Sequence, residues 1–491
     1  MSGQNYYQIL GIPRDATQDE IRDAYFDLAR QYHPDANPDP EVREQFLLIQ
    51  EAHETLSNTE RKGRYDRRLP PAPKPPEIMM NVRFSRTIVP WLVEQQLLYA
   101  YVEMVCTAEQ ERMIYPPIHL NLIVDRSTSM QGDRIDMVKK NILQCAKLLK
   151  PGDTISVVTF SDRAQLLVPP THVEDLEKFE QRIRLIATGG GTEIFSGLKL
   201  GIEQFSDEKD TRLVRQAIIL TDGHTYGDEK ACLELAERAN RAGIAISAFG
   251  IGEEWNDTFL DRLTGLCGGN TVYVTSAKDL ASFMEQKLRL LSSVYARNLM
   301  FLFESSPNIE LKYAFRVNPD IGPMPLSSPL SLGDLPFGKS LVFLLEFVVP
   351  GFTEDVQTIT LAEGRITMEI PTNEEMKARK FVKLTREVRP NPEAELIPPT
   401  IVEAMSHLSL YRLQERAKAE VEAGDIKQAT RHLHYLATHL LSLGNQSLAH
   451  DVLVEADHLQ QNRQFSPEGD KHIKYGTRAL LLPSGLEDIR Q

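Results

Sequence analysis

HLNLIVDRSTS, His119 to Ser129, passes from a run rich in leucine, isoleucine and valine into a polar segment with Asp125, Ser127 and Ser129 at alternate positions. HLNLIVD (119–125) is strand-sized and apolar enough to be buried on both faces. Similar runs recur at ISVVTF (155–160), AIILT (217–221), IAISAFGI (244–251) and TVYV (271–274), and each interval is long enough for at least one amphipathic helix. Short buried strands alternating with helices predict an α/β, doubly wound parallel sheet. In such sheets ligands bind beyond the carboxyl ends of the strands, which is where the DRSTS segment falls.

Two other polar clusters lie in matching loops. TGGGTE (188–193) brings Thr192 on glycines that allow close backbone approach, and TDG (221–223) puts Asp222 directly after a buried strand. The donors are all hard oxygens, with neither thiolate nor imidazole, a set suited to magnesium or manganese rather than zinc. In this order, at these strand ends, they resemble the von Willebrand factor A domain and its metal-ion-dependent adhesion site. The resemblance covers residues 117–296. It implies that Ser127, Ser129 and Thr192 bind the metal directly and Asp125 and Asp222 largely through water. A carboxylate from a partner protein would complete the open position, making the metal a binding bridge. Hydrolysis would need a second metal or a base, and the loops offer only His224 and Glu193. The expectation is therefore a protein that is not an enzyme, with a metal-dependent hydrolase as the alternative.

The N-terminal segment has a different period. TQDEIRDAYFDLARQYHPD opens at Thr17 with a capping box completed by Glu20, and Ile21, Ala24, Tyr25, Leu28, Ala29 and Tyr32 share one helical stripe. Pro34 stops that helix, and Asp39 followed by Pro40 starts another, whose apolar face carries Val42, Phe46, Ile49 and Leu56. Taken alone, His33, Pro34 and Asp35 read as a helix stop and turn. With NYYQILGI before the hairpin and RKGRYD after it, residues 5–69 resemble the J-domain of DnaJ-type co-chaperones. That resemblance implies an all-α domain whose His33, Pro34 and Asp35 contact a DnaK-type chaperone and stimulate its ATP hydrolysis. One departure is the helix before His33, where Asp19, Glu20, Asp23 and Asp27 outnumber Arg22 and Arg30. Since rim charge mainly sets encounter rate and partner choice, weaker or more selective docking is expected. The basic run Arg61, Lys62, Arg64, Arg67 and Arg68 either compensates or is a solvated helix face.

The domain boundaries follow from these patterns. The J-domain takes 1–69, and PPAPKPPE (70–77) is a semi-rigid proline-rich spacer or, alternatively, a ligand for a recognition module. NIELKYAFRV (308–317) alternates Ile309, Leu311, Tyr313, Phe315 and Val317 with Glu310, Lys312 and Arg316, predicting a half-buried antiparallel strand. Similar patterns at 97–106, 340–349 and 357–370 predict one discontinuous β-sandwich, 78–116 with 297–390, into which the A-like domain (117–296) is inserted. From 396 to 491 an α-helical region is expected, punctuated by Gly424 and Gly444. Its apolar spacing is loosely similar to a tetratricopeptide unit, and a packing role is expected. The terminal HIKYGTRALLLP, including Leu481 and Leu482, has no assigned role.

Composition sets limits. At 491 residues the chain needs several domains, and its formal net charge of -14 excludes broad nucleic-acid or anionic-membrane binding. No apolar run reaches the roughly 20 residues of a membrane span; SLVFLLEFVV, from Ser340, is strand-sized and contains Glu346. Cys106, Cys145, Cys232 and Cys267 form no CxxC pair and are expected as buried free thiols. The expected protein is a cytoplasmic co-chaperone or adaptor that recruits a DnaK-type chaperone and holds a client or scaffold protein bearing an acidic residue. An assembly scaffold with a vestigial J-domain is the alternative.

Overall fold

The computed structural model describes residues 6–10, 12, 16, 18–32, 40–68, 77–108, 115–172, 176–205, 212–225, 227–326, 328–353, 356–372, 377–393 and 395–480. The chain divides into two compact units, Met1–Pro75 and Pro76–Gln491.

The first unit contains helices α1 (Tyr6–Leu10), α2 (Gln18–Gln31), α3 (Pro40–Leu56) and α4 (Thr59–Asp66). Ile21, Ile49, Ala52 and Leu56 are buried in one core with Tyr7, Leu10 and Ile12, as the apolar stripes require. Helix α1, only five residues long, is too short to show a helical period. It is held from outside: the Tyr6 amide donates to the Tyr65 hydroxyl at 2.8 Å and the Tyr7 hydroxyl to Asp66 at 2.6 Å. RKGRYD therefore closes the domain by clamping its N-terminal helix. His33, Pro34 and Asp35 lie outside the described residues, as does most of the proline-rich spacer.

The second unit begins with β1 (Ile78–Phe84), β2 (Ile88–Pro90) and β3 (Gln96–Cys106). The chain then builds the α/β domain from β4 (Ile118–Asp125), α5 (Asp133–Leu148), β5 (Thr154–Phe160), β6 (Ala164–Thr171), α6 (Leu176–Arg184), α7 (Ile194–Glu203), β7 (Val214–Thr221), α8 (Glu229–Arg241), β8 (Ile244–Ile251), α9 (Asp257–Leu266), β9 (Thr271–Val274) and α10 (Ala277–Leu291). Strand order is β6-β5-β4-β7-β8-β9, parallel except for β6, which pairs antiparallel with β5. The expectation of a wholly parallel sheet missed this edge strand. Its exposure along most of its length, with only Val168 buried, and its prolines Pro169 and Pro170 suit an edge position, where one side needs no hydrogen-bonding partner.

The chain returns through β10 (Val294–Glu304), β11 (Glu310–Asn318), β12 (Gly322–Pro323), β13 (Leu330–Pro336), β14 (Ser340–Val349), β15 (Thr358–Glu369) and β16 (Lys377–Arg389). These join the first three strands in two five-stranded sheets, β1-β3-β14-β11-β12 and β13-β10-β15-β16-β2. Residues on both sides of the α/β domain thus share one core, including Leu98, Val102, Phe301, Phe343 and Ile366.

Helices α11 (Pro399–Glu422), α12 (Ile426–Ser442), α13 (Gln446–Asn462) and α14 (Pro467–Ala479) complete the chain. Gly424 and Gly444 end the first two of these helices at φ 84° and 81°, left-handed geometry that costs glycine little. Ala429, Leu433, Leu436 and Leu440 are all buried inside this bundle, as their spacing predicts.

The bundle corrects the reading of β11. Phe315 and Val317 pack under Leu408 and Tyr411 of α11, while Ala314, on the opposite face, belongs to the sandwich core. Arg316 is also buried and donates to the carbonyls of Asp320 and Leu332 at 3.0 and 3.3 Å. The strand is half-buried only at its start because a helix remote in sequence covers its second half. Glu346 in β14 is likewise enclosed, with the Arg412 guanidinium donating to both its oxygens at 2.6 and 3.1 Å. All four cysteines are free and buried, and burial pushes the Cys145 thiol up to about 12. Among the described residues no helix is long and apolar enough to cross a membrane.

Candidate metal centre

Strands β4 and β7 are paired neighbours, and both end on the same edge of the sheet. Asp125 is the last residue of β4 and Asp222 immediately follows β7, so topology alone brings carboxylates 97 positions apart to one crevice. Both are fully buried, and Ser127 is nearly so. Ser129 is exposed and Thr192 half-buried, giving a site with a closed acidic floor and a hydroxyl-lined mouth.

Each group is held. Asp125 Oδ1 accepts the Ser127 amide at 2.8 Å and Oδ2 accepts the Thr221 hydroxyl at 2.6 Å. Ser127 Oγ and Ser129 Oγ lie 3.0 Å apart, and Ser129 Oγ donates to Asp222 Oδ1 at 2.8 Å. The glycine loop is fastened to the serine loop, with the Thr128 amide donating to the Gly190 carbonyl at 3.0 Å and the Gly189 amide to that of Arg126 at 2.8 Å. Gly190 sits at φ 88°, and a Cβ there would fall 2.4 Å from Asp162 Oδ2. A Cβ on Gly223 would reach Thr192 Oγ1 at 2.9 Å, so Thr192 lies directly against the Asp222 loop. All five expected ligands, Asp125, Ser127, Ser129, Thr192 and Asp222, therefore line one crevice.

Burial pushes the Asp125 carboxyl up to about 6, although bonds from Thr221 and Ser127 favour its charged form; the neighbouring Asp222 adds repulsion. His224 turns towards the C-terminal bundle. Burial lowers its pKa, Lys471 lowers it further, and Asp257 and Glu254 oppose them.

The sequence did not single out three supporting groups. Thr221 lies inside the recognised TDG motif yet serves Asp125. Asp162, on the turn after β5, accepts the Gly191 amide at 2.8 Å. Arg134, in the first turn of α5, donates to Asp222 Oδ2 at 2.5 Å. Of these, only Thr221 had a legible signal, a hydroxyl at the end of a buried strand.

The donor set was tested against a hard divalent cation. Cis ligands of an octahedral magnesium ion at about 2.0–2.1 Å stand about 2.9 Å apart. The Ser127–Ser129 oxygen separation of 3.0 Å matches that edge length, and Asp222, hydrogen-bonded to Ser129, stands one layer further out. No group of three or more His, Cys, Asp or Glu suited to a metal occurs among the described residues, so this site relies on hydroxyl donors. The residues fit the ion.

The fold and this crevice define a von Willebrand factor type A domain, and residues 119–286 match that family. Residues 5–66 match the DnaJ domain and 399–483 the Sll0103-like, C-terminal alpha-helical domain. The chain is thus a DnaJ domain joined to a von Willebrand factor type A domain within a larger β and α-helical body. The uncharacterized protein sll0103 of Synechocystis sp. is 25% identical over 381 residues, covering 75% of this chain and 89% of that protein. The chaperone protein DnaJ of Dictyoglomus thermophilum is 56% identical over 63 residues, 13% of this chain and 16% of that protein. The solved structure of a von Willebrand factor type A protein from Catenulispora acidiphila superposes with TM-score 0.64 at 14% identity, covering 84% of this chain and 98% of that one. The ArnB paralog VWA2 from Sulfolobus acidocaldarius gives TM-score 0.52 at 15% identity, over 83% of this chain and 100% of its own.

Proposed function

We propose that the protein is a cytoplasmic, non-enzymatic co-chaperone or adaptor. Its J-domain recruits and stimulates a DnaK-type chaperone through His33, Pro34 and Asp35. Its A domain holds a magnesium or manganese ion through Ser127, Ser129 and Thr192 directly and through Asp125 and Asp222 by way of water. The bound cation supplies an electrophilic open position for the carboxylate of a client or scaffold protein.

The observation that carries the metal reading is the convergence of the Ser127 and Ser129 hydroxyls, 3.0 Å apart, above buried Asp125 and beside buried Asp222. The chain's own residues do the rest. Thr221 and the Ser127 amide aim the Asp125 carboxylate, while the Gly189–Gly191 turn presses Thr192 towards the crevice. Two buried carboxylates side by side repel each other, and a bound cation relieves that repulsion. The scaffold reading with a vestigial J-domain is disfavoured by the 56% identity that its segment keeps to a DnaJ protein, despite the acidic second helix.

The test is single-turnover ATP hydrolysis by a DnaK-type chaperone with the full chain or its His33→Gln variant. It is run beside Mn²⁺ titration of the full chain and its Asp125→Ala variant. Stimulation lost with His33 and Mn²⁺ binding lost with Asp125 are expected. No stimulation by the folded full chain leaves the scaffold reading; Mn²⁺ binding indifferent to Asp125 removes the metal bridge.

A further inference from the structure

Arg134 stands where a ligand of the metal centre would approach. Its Nη1 donates to Asp222 Oδ2 at 2.5 Å and to the Ser129 carbonyl at 3.4 Å. The side chain is 38% exposed, whereas the Asp222 side chain is 0% exposed. Its other face lies along the turn after β8, where Gly252 makes room for it: a Cβ there would fall 3.0 Å from Nη2 and 3.4 Å from Nε. The guanidinium therefore has one arm on Asp222 and its Nη2 and Nε beside Gly252, whose missing Cβ leaves that side of the partly exposed side chain open.

An arginine stays charged at every physiological pH, so its presence changes the site's balance permanently. Asp125 and Asp222 together supply two negative charges when ionised, and Arg134 cancels one. The empty site then attracts a divalent cation less than two unpaired carboxylates would, and with the cation bound it carries one net positive charge, which attracts an anion. A guanidinium fork is also shaped to take a carboxylate, where a lysine ammonium would act only as a point charge.

We infer that Arg134 is the specificity-determining residue of this centre: it weakens capture of the bare cation and provides a second hold on the acidic ligand, so that cation and carboxylate bind together. This inference rests on the cation reading proposed above. The ligand's carboxylate takes the cation with one oxygen and the free arm of Arg134 with the other. Asp222 keeps its contact to Ser129 throughout. A neutral carbonyl ligand would meet the cation but leave Arg134 without an anion, so the site discriminates against it.

The experiment is Mn²⁺ titration of the full chain, followed by electron paramagnetic resonance of free Mn²⁺, without and with acetate, and with acetamide as neutral control at matched ionic strength. The parent chain is expected to bind bare Mn²⁺ weakly and to gain affinity with acetate but not with acetamide. Arg134→Gln is expected to bind bare Mn²⁺ roughly tenfold more tightly, as removal of one nearby charge at a partly screened site predicts, and to lose most of the acetate gain. Arg134→Lys keeps the charge without the fork, so its bare affinity should stay low while its acetate gain shrinks. Mn²⁺ binding that depends on Asp125 but is unchanged in both Arg134 variants, with the same acetate effect, would overturn the inference and leave Arg134 as a brace for Asp222. No Asp125-dependent Mn²⁺ binding in any variant would instead overturn the cation reading, and this inference with it.

Discussion

Replacing Lys474 by methionine tests how the C-terminal bundle is joined to the α/β domain. Lys474 is buried, its ammonium bonded to Asp257 of α9 and 3.0 Å from Asp261 and 3.9 Å from Glu415. Breaking a buried ion pair from one side costs about 3–5 kcal/mol, because the abandoned charge stays buried. Here the abandoned acids keep other partners: Asp257 retains Lys418 at 3.1 Å, and Asp261 retains Arg478 at 2.5 Å. The loss should therefore lie near the lower end, about 3 kcal/mol. Trp255 is the reporter, since its ring lies 5.8 Å from that of Tyr475 and 5.0 Å from the Lys471 ammonium, both on α14. Urea unfolding of the full chain would be followed by fluorescence in a Trp91→Phe background, which removes the only other tryptophan. At slopes of about 1–3 kcal/mol per molar urea, the Trp255 transition should move down by at least about 1 M. The Lys474→Met/Asp257→Asn double variant should recover about 1 kcal/mol or more, because the buried charge goes with its partner. A single-variant loss below about 1 kcal/mol, with the double variant additive, would place these contacts with exposed surface pairs and refute the reasoning.

The same network sets a pH dependence. Burial alone would raise the Asp257 carboxyl, but Lys474 and Lys418 outweigh it and hold it well below the usual carboxylate range; Arg478 and Lys474 do the same for Asp261. Stability from these acids is present above their unfolded values of about 4 and is lost as pH falls towards the depressed folded values, so Trp255 fluorescence should report undocking of α14 only below about pH 4. Asp125→Ala with Ser127→Ala should leave the circular dichroism spectrum intact yet abolish magnesium-dependent partner capture, and undiminished capture would exclude the metal bridge. Gly190→Ala, forced into left-handed geometry against Asp162, should cost about 1–3 kcal/mol and lower Mn²⁺ affinity; unchanged affinity would show that the glycine turn does not position Thr192. Arg412→Ala leaves Glu346 buried without its counter-charge, with only the Tyr99 hydroxyl beside it, and should cost about 3 kcal/mol in urea unfolding, whereas a loss under about 1 kcal/mol would mean that water replaces the guanidinium.

The candidate metal centre was legible because its expected ligands sit in motifs whose positions follow from strand ends. DRSTS, the threonine after three glycines, and TDG each abut a buried strand or the helix after it, and parallel pairing of β4 with β7 does the assembly. Arg134 was not legible: an arginine in a first helical turn is ordinary, and only the approach of α5 to Asp222 gives it a role. The edge strand β6 was missed because it lacks the dense β-branched run of its buried neighbours. In β11 the alternation was legible, but an irregularity between Leu311 and Tyr313 switches its face: Ile309 stays in the sandwich core, while Phe315 and Val317 pack under a helix nearly a hundred residues away. Glu346 shows the same limit from the other side, since its partner Arg412 belongs to that remote helix.

The sequence by itself determined the J-domain likeness, the α/β order of the middle domain, the split of the β-sandwich around it and the identity of five oxygen donors. All of these rest on local periodicity and on motifs a few residues long, which neighbouring residues encode. Only the tertiary structure decided that HIKYGTRA is a docking helix: Lys474 and Arg478 reach Asp257 and Asp261, 217 positions earlier. Only it put Arg134 against Asp222. Charges read along a chain look solvated until a distant element removes the water, and that removal is a property of packing between elements, which no local pattern carries.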